Sequence, residues 1–393
     1  MKRYAFVTDC HTGSTVPLVK QLLDEGDRVD LILLTHGPVR PLEAVDIQFT
    51  PAKRGLTEVD PNGWPLLAAF LGHEETFRLF VADTAKTCAN IPVLRTLVRP
   101  IRTLQLKRIC RRMKAENYAA IDFVGRYNQD DLPVFSKALG DKFVASLHEV
   151  CDHTKPDFEH PNRVLRHLFK EGRRITVYSG KSRDDLSRYR GCDASNVSLV
   201  PFGLFSSYAM FDREDRLDLP RRYGLMIGWV APYKGLSVLV DAVRQTPDNG
   251  FRYVVAGHGN DPAMAAIEGD DRFVKMNWFL SNRDFAELLR RAAFVVCPYL
   301  SASQSGVPQS AYVFGRPVVA SDLTSFRPVV APGINGELFP AGDAAALAAI
   351  LRRLTVDPTA LPALERGAAD FENQFPAYAW RNIAARFREA INR

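Results

Sequence analysis

The sequence predicts an α/β protein in which short buried strands alternate with helices, in a chain long enough for two or more domains. Three observations carry this. Val295-Val-Cys-Pro-Tyr-Leu-Ser-Ala-Ser-Gln-Ser-Gly-Val307 leads into Phe314-Gly-Arg-Pro-Val-Val-Ala-Ser321, which reads as buried strand, small polar loop, helix and second buried strand. The same order recurs around Leu225–Val230 and at the start of the chain, Tyr4–Val7. The chain has 393 residues, 46% apolar and 24% charged, enough for well-buried cores and too apolar for disorder.

In chain order, Tyr4–Val7 is a β run that ends in Thr8-Asp-Cys-His-Thr-Gly-Ser14, after which Val16–Leu23 has helical spacing. Arg28–Leu34 is a second strand. Residues 40–90 carry scattered Pro, Gly and aromatic residues and give no assignable pattern. From Arg95 to Lys114 there are eight basic residues and no acid, interleaved with Leu94, Leu97, Val98, Ile101, Leu104, Ile109 and Met113 at helical spacing. Pro100 is expected to kink or restart that helix. Such a basic amphipathic stretch suits an anionic membrane surface, and equally a solvated helix face. Aromatic stacking platforms for nucleic acid are absent from it, so no nucleic-acid partner is expected. Phe143–Leu147 is a strand ending in His148, followed by Glu149. Ile175-Thr-Val-Tyr-Ser-Gly-Lys-Ser182 reads as a strand and a helix cap, with Ser182 as the N-cap.

A domain boundary is expected near Val200-Pro-Phe-Gly203, with Phe205–Arg222 as a charged, irregular linker. Leu225–Val230 is an apolar strand, followed by Ala231-Pro-Tyr-Lys-Gly-Leu236 and a helical run from Ser237 to Val243. Lys234 in that turn is a flexible point charge able to reach a phosphate. Tyr253-Val-Val-Ala-Gly-His-Gly259 is a third strand, ending in Gly257 and Gly259, which would let a ligand approach the backbone. The loop Ser301-Ala-Ser-Gln-Ser-Gly306 opens a helix, where unpaired amides carry partial positive charge. Open α/β sheets place ligands at the carboxyl ends of their strands. Phe375–Arg388 reads as a final amphipathic helix.

Taken together and in register, Phe202-Gly203, Gly228 with Tyr233-Lys-Gly235, Gly257-His-Gly259, Pro298-Tyr299, Gln304-Ser-Gly306, Gly315-Arg-Pro-Val-Val-Ala-Ser321 and Asn335-Gly336 resemble the retaining nucleotide-sugar glycosyltransferases of the GT-B type. The resemblance is to the large family 4 group (glycosyl transferases group 1), in its Gln-Ser-Gly branch, and is dense from about residue 197 to 355. It implies two Rossmann-like doubly wound domains facing a central cleft. Residues 1–200 would bind acceptor, with the terminal helix 375–393 packing back on them, and 203–374 would bind the nucleotide-sugar donor. It places Gly13 in the first glycine loop and makes His148 the histidine that contacts the transferred sugar, with His153 or His160 as the branch's second histidine. Beside Gly13, His11 lies within reach of a phosphate or sugar hydroxyl, or is a turn residue with no role. Gly228, Lys234, Gly257, Gly259, Gln304, Ser305, Gly306, Val307 and Ser310 become the donor-binding set, and His148 and Lys234 the catalytic pair.

Two positions depart from the pattern. No Glu or Asp occurs between Pro298 and Ala320, and the position of the usual ribose-binding glutamate is held by Ser310. Trp229 stands where many relatives have an arginine. A metal-dependent transferase would use a paired-aspartate element, and no Asp-x-Asp occurs in the chain, so no metal or cofactor is expected beyond the UDP- or GDP-linked donor. Charge on the leaving diphosphate would then fall to Lys234 and the amides of Ser305-Gly-Val307. The expected activity is sugar transfer, with retention, to a glycan or lipid-linked acceptor in bacterial surface or exported polysaccharide assembly. A non-catalytic nucleotide-sugar binder and a sugar-nucleotide epimerase are the alternatives. Scattered cysteines and an amino terminus unlike a signal peptide point to the cytoplasm, with 95–114 touching the inner membrane face.

Overall fold

The computed structural model of the chain describes residues 1–36, 45, 47, 50–51, 53–73, 75–85, 92–151, 157–211 and 214–392, excepting the side chains of 92–96. The chain forms two compact units, Met1–Pro201 with Trp380–Arg393, and Phe202–Ala379.

The first unit contains strands β1 (Arg3–Thr8), β2 (Arg28–Thr35), β3 (Gly55–Val59), β4 (Phe77–Asp83), β5 (Ala120–Gly125), β6 (Phe143–Leu147), β7 (Arg174–Val177) and β8 (Val197–Leu199). Between them run helices α1 (Thr12–Asp24), α2 (Pro65–Leu71), α3 (Pro92–Ala115), α4 (Leu132–Leu139), α5 (Arg163–Lys170) and α6 (Gly180–Ser187). The sheet order is β3-β4-β2-β1-β5-β6-β7-β8, parallel throughout except for β3 against β4. Every residue of β5 and β6 is buried, as expected for a parallel sheet covered on both faces. The strand order reverses between β1 and β5, so their carboxyl ends open the crevice where such sheets bind ligands.

The second unit repeats this plan. Its strands β9 (Tyr223–Ile227), β10 (Arg252–Ala256), β11 (Phe273–Met276), β12 (Phe294–Cys297), β13 (Val318–Ser321) and β14 (Gly336–Phe339) lie in the order β11-β10-β9-β12-β13-β14, all parallel. Helices α7 (Leu236–Arg244), α8 (Asn282–Arg291), α9 (Val307–Tyr312), α10 (Ala344–Val356), α11 (Ala360–Ala369) and α12 (Phe371–Gln374) cover the sheet. One core packs α7 and α10 against one side, and another packs α8 and Phe371 against the other. The switch point here lies between β9 and β12.

The last helix, α13 (Trp380–Asn392), belongs to the first unit. Its Phe387 ring meets Tyr4 edge-on at 5.8 Å, and its Arg388 pairs with Asp27 at 2.7 Å and with Glu25. The expected helix at Phe375–Arg388 therefore starts five residues late. Phe375 stacks on Phe371, and Pro376 with the extended Ala379 interrupts the helix.

Other boundaries also differ from the sequence expectations. Helix α3 runs unbroken through Pro100, held by buried Leu106, Ile109, Cys110 and Met113. The cap of α6 is Ser179 rather than Ser182, since the Ser179 hydroxyl accepts from the Ser182 amide at 3.0 Å. Within the unread 40–90 region lie β3, α2 and β4, where β3 is half-exposed and so lacks a clear alternation. Among the described residues no helix is long and apolar enough to cross a membrane. The five described cysteines are free, and Cys88 lies outside the described residues.

Candidate active site

In the second unit, Lys234 sits in a 3₁₀ turn after β9, closed by Gly235 in the left-handed region (φ +71°). A side chain at Gly235 would begin 1.9 Å from the Pro298 carbonyl oxygen, so glycine locks this turn against the end of β12. The lysine is 9% exposed, and its Nζ lies 5.0 Å from the centre of the Tyr299 ring. Burial pushes its pKa down to about 8 from 10.5. Among the described residues no carboxylate pairs with it. Gly228, at φ +105°, would place any β-carbon 3.2 Å from this Nζ. An uncompensated buried ammonium at a switch point calls for an anion.

Gly257 and Gly259 serve the chain itself. A β-carbon at Gly257 would lie 2.0 Å from the Gly228 carbonyl oxygen, and one at Gly259 would lie 1.8 Å from that of Val230. The two loops interlock instead through the Val230 amide to the His258 oxygen (3.0 Å) and the Asn260 amide to the Val230 oxygen (3.1 Å). These glycines hold the Gly228 turn in place.

The Gln304-Ser-Gly loop precedes α9, which has only six residues. Its macrodipole is correspondingly small, so the loop offers amide hydrogens more than a helix field. Pro308 removes one of those amides, and the Ser305 hydroxyl takes the Val307 N–H at 3.3 Å. Gly306 is required because a side chain would begin 2.6 Å from the Phe205 ring. The Gln304 Oε1 is buried, with no hydrogen-bond partner among the described residues. Ser310 is 2% exposed and donates its hydroxyl proton to the Gly306 carbonyl oxygen at 2.9 Å, which leaves only its lone pairs for a ligand. Asn335 is structural, bridging the Val329 carbonyl (3.0 Å) and the Ala331 amide (2.8 Å).

Three aromatic side chains gather at the carboxyl edge of this sheet. Trp229 follows β9, His258 follows β10 and Phe279 follows β11. His258 stacks on Phe279 at 4.5 Å and meets Trp229 edge-on at 5.3 Å. Phe279 is 77% exposed. The sequence showed Trp229 only as a missing arginine, and the aromatic residues at successive strand ends were the unused signal.

In the first unit, the corresponding switch point brings His11 and His148 together. Their rings stack at 3.7 Å and 11°, and His148 also leans on Tyr178 at 4.4 Å. The His148 amide donates to the Gly125 carbonyl (2.8 Å), and its Nε2 lies 3.3 Å from the Ser14 hydroxyl. Burial, then the neighbouring His11 and Arg126, hold His148 well below its ordinary pKa. Burial likewise lowers His11 to about 4, aided by Arg126 and opposed by Asp9 and Glu149. Both rings are neutral at pH 7, suited to hydrogen bonding with a hydroxyl rather than to carrying charge. Gly13 is the second residue of α1 and is buried, and Pro17 denies its carbonyl the usual i+4 donor. His153 lies outside the described residues, and His160 is exposed against Asp157 (3.2 Å). Asp9, Cys10 and His11 place ligand atoms within 4.8 Å of one another, but Asp9 already accepts from the Cys10 thiol and the Gln129 amide (2.7 Å).

Several known proteins resemble this chain. By sequence, it is 29% identical over 208 residues to the amylovoran biosynthesis glycosyltransferase AmsK of Erwinia amylovora, covering 49% of this chain and 51% of that protein. It is 37% identical over 123 residues to the phosphatidyl-myo-inositol mannosyltransferase of Mycobacterium leprae, covering 30% and 32%. The chain thus spans about half the length of the first of these relatives and about a third of the second. By structure, it superposes on Anabaena Alr3699/HepE in complex with UDP and glucose with a TM-score of 0.66 at 14% identity, covering all of both chains. It superposes on the sucrose-phosphate synthase of Thermosynechococcus elongatus with a TM-score of 0.67 at 16% identity, covering 100% and 98%. These likenesses show the fold, which is that of the GT-B glycosyltransferases. Residues 221–357, most of the second unit, match the family described as Glycosyl transferases group 1, and so carry a domain of that kind.

Proposed function

We propose that the protein is a nucleotide-sugar-dependent glycosyltransferase that acts with retention and without a metal ion. The observation that carries this is the buried Lys234 ammonium at the switch point of a glycosyl transferases group 1 domain, without a carboxylate partner among the described residues. The second unit would hold the donor. Lys234 and the amides of Gln304, Ser305 and Gly306 would receive its diphosphate, with the Trp229–His258–Phe279 aromatics offering a flat face to the base. In the first unit, neutral His148, with His11 stacked behind it, would offer a hydrogen bond to a sugar hydroxyl.

In the reaction, the anomeric C–O bond to the diphosphate breaks, and negative charge develops on the departing phosphate oxygen. The acceptor hydroxyl adds to the same face of the anomeric carbon, and its proton passes to that departing oxygen. Groups fixed where charge develops lower the barrier, and removing one such donor typically costs about 10²–10³ in rate. A cation held in a dry site is also worth more than one in water. The donor is UDP- or GDP-linked on this reading, and the acceptor is a glycan or lipid-linked sugar. The named role of AmsK in amylovoran biosynthesis supports a part in polysaccharide assembly.

Thermal unfolding with UDP, GDP, ADP and dTDP tests the donor site. A ligand at a hundred times its Kd stabilises the native state by about 2.7 kcal/mol. One nucleotide is expected to raise the transition of the second unit, and no shift with any of the four would contradict the proposal.

A further inference from the structure

A cavity of about 990 Å³ lies wholly within the first unit, walled by α3, by α4 and the loop before it, and by the start of α5. Arg102 and Asp131 brace it, both nearly buried and joined as a bidentate pair (Nε to Oδ1 2.9 Å), with Arg102 also donating to the His36 Nδ1 at 3.0 Å. Around this brace stand Arg99, Lys107, Arg111, Lys114, Arg126 and Lys137, all exposed and lining the cavity. Among the described residues none of these six has an ion-pair partner, while the cavity's Arg163 is matched by Asp130 (2.9 Å). Eight cationic side chains line the cavity against the three carboxylates of Asp9, Asp130 and Asp131, and a polyanion relieves the repulsion among the excess while drawing bidentate contacts from arginine.

Two further observations narrow the ligand. The cavity reaches the switch point, because Asp9 and Arg126 line it, and Arg126 acts electrostatically on both His11 and His148. On another face of α3, Leu97, Ile101 and Leu104 form an aliphatic stripe at one-turn spacing, 64%, 53% and 47% exposed. A cationic cavity beside a bare aliphatic stripe on the same helix matches an amphiphile with an anionic head and a hydrocarbon tail.

We propose that the groove between α3 and α4 binds the phosphate or diphosphate ester of a lipid-borne acceptor, with the hydrocarbon against Leu97, Ile101 and Leu104. The ester's sugar then points along the cavity towards His11 and His148. Naming this ligand the acceptor rests on the transferase reading, whereas binding in the groove does not.

The test is flotation of the full chain with neutral phosphatidylcholine vesicles. The vesicles carry geranylgeranyl diphosphate, geranylgeraniol, or phosphatidylglycerol at matched surface charge. The diphosphate vesicles are expected to bind, the alcohol vesicles not to, and the phosphatidylglycerol vesicles to bind roughly tenfold more weakly or worse. Reversing two groove charges (K107E with R111E) should weaken diphosphate binding by roughly tenfold or more. An unchanged thermal transition of the first unit in that variant reports that it is folded. The stripe variant L97S/I101S/L104S should lose vesicle binding and still bind inorganic pyrophosphate. Equal binding to phosphatidylglycerol would reduce the groove to a general basic surface, and unchanged binding in K107E/R111E would remove it altogether. Vesicle binding retained in the stripe variant would make the ligand a soluble phosphate ester. Groove binding without any nucleotide shift would sink the transferase reading and leave the groove standing.

Discussion

Replacing Lys234 by methionine keeps the stem and deletes the charge, and two effects of opposite sign follow. In the folded protein the lysine pKa is about 8, against 10.5 for the free side chain. The depression of about 2.5 units corresponds to about 3 kcal/mol, by which burying the ammonium weakens the second unit at pH 7. Losing the contact of Nζ with the Tyr299 ring at 5.0 Å returns about 1 kcal/mol of that. Lys234→Met should therefore stabilise the ligand-free protein by about 2 kcal/mol at pH 7, or about 4–8 °C in Tm for a unit of this size. The pH dependence has a definite sign. Between about 8 and 10.5 the unfolded lysine keeps its proton while the folded one loses it, so wild-type stability rises through that window and the variant's advantage fades. Saturating UDP or GDP should raise the wild-type transition and leave that of the variant unmoved. The assay is thermal unfolding from pH 7 to 10.5, with and without nucleotide. A variant less stable than wild type at pH 7 that still responds to nucleotide would refute the reasoning and make Lys234 a packing residue.

Other consequences can be checked in the same way. His11, lowered to about 4, binds its proton later than the unfolded chain does, so wild-type stability should fall by about 3 kcal/mol as pH drops from 6.5 to 4. His11→Gln should lessen that slope in acid unfolding curves, with buried His148 supplying the remainder. Buried Asp122, raised to about 7 with Ser146 as its hydroxyl donor at 2.8 Å, keeps its proton while the unfolded chain loses it, so stability falls as pH rises from about 4 to 7 and levels off above. Asp122→Asn should then stabilise by up to about 4 kcal/mol at pH 8 and by less than about 1 kcal/mol at pH 4, in denaturant melts. Gly306→Ala pushes a methyl into the Phe205 ring and should cost about 1–3 kcal/mol along with nucleotide affinity, read by titration calorimetry.

Much of the second unit was legible in the sequence because its strands are buried on both faces and end in short glycine loops. β9, β10, β12 and β13 all lie within the apolar runs that mark them or within one or two residues of them. Lys234 was readable from its turn, although its burial was not, since that depends on Tyr299 arriving from a different strand. The glycines at 257 and 259 were legible as positions of close approach, and the three-dimensional neighbours show that a β-carbon at either would meet the chain's own carbonyls. The stacking of His11 on His148 joins residues 137 positions apart and leaves no local trace. The basic stretch was visible as a charge run, but the cavity it lines needs α4, whose Lys137 and Asp131 carry no sequence link to it. Pro100 does not restart the helix, because its missing N–H is outweighed by packing further along α3.

The most direct measurement of the central claim is nucleotide release from UDP- and GDP-linked sugars, with and without a bacterial lipid fraction as acceptor. The account predicts release from one donor that depends on the acceptor, persists in EDTA, yields a product with retained anomeric configuration, and falls by roughly a hundredfold or more in Lys234→Met. Release independent of acceptor, sugar isomerisation without release, or full activity in Lys234→Met would contradict it.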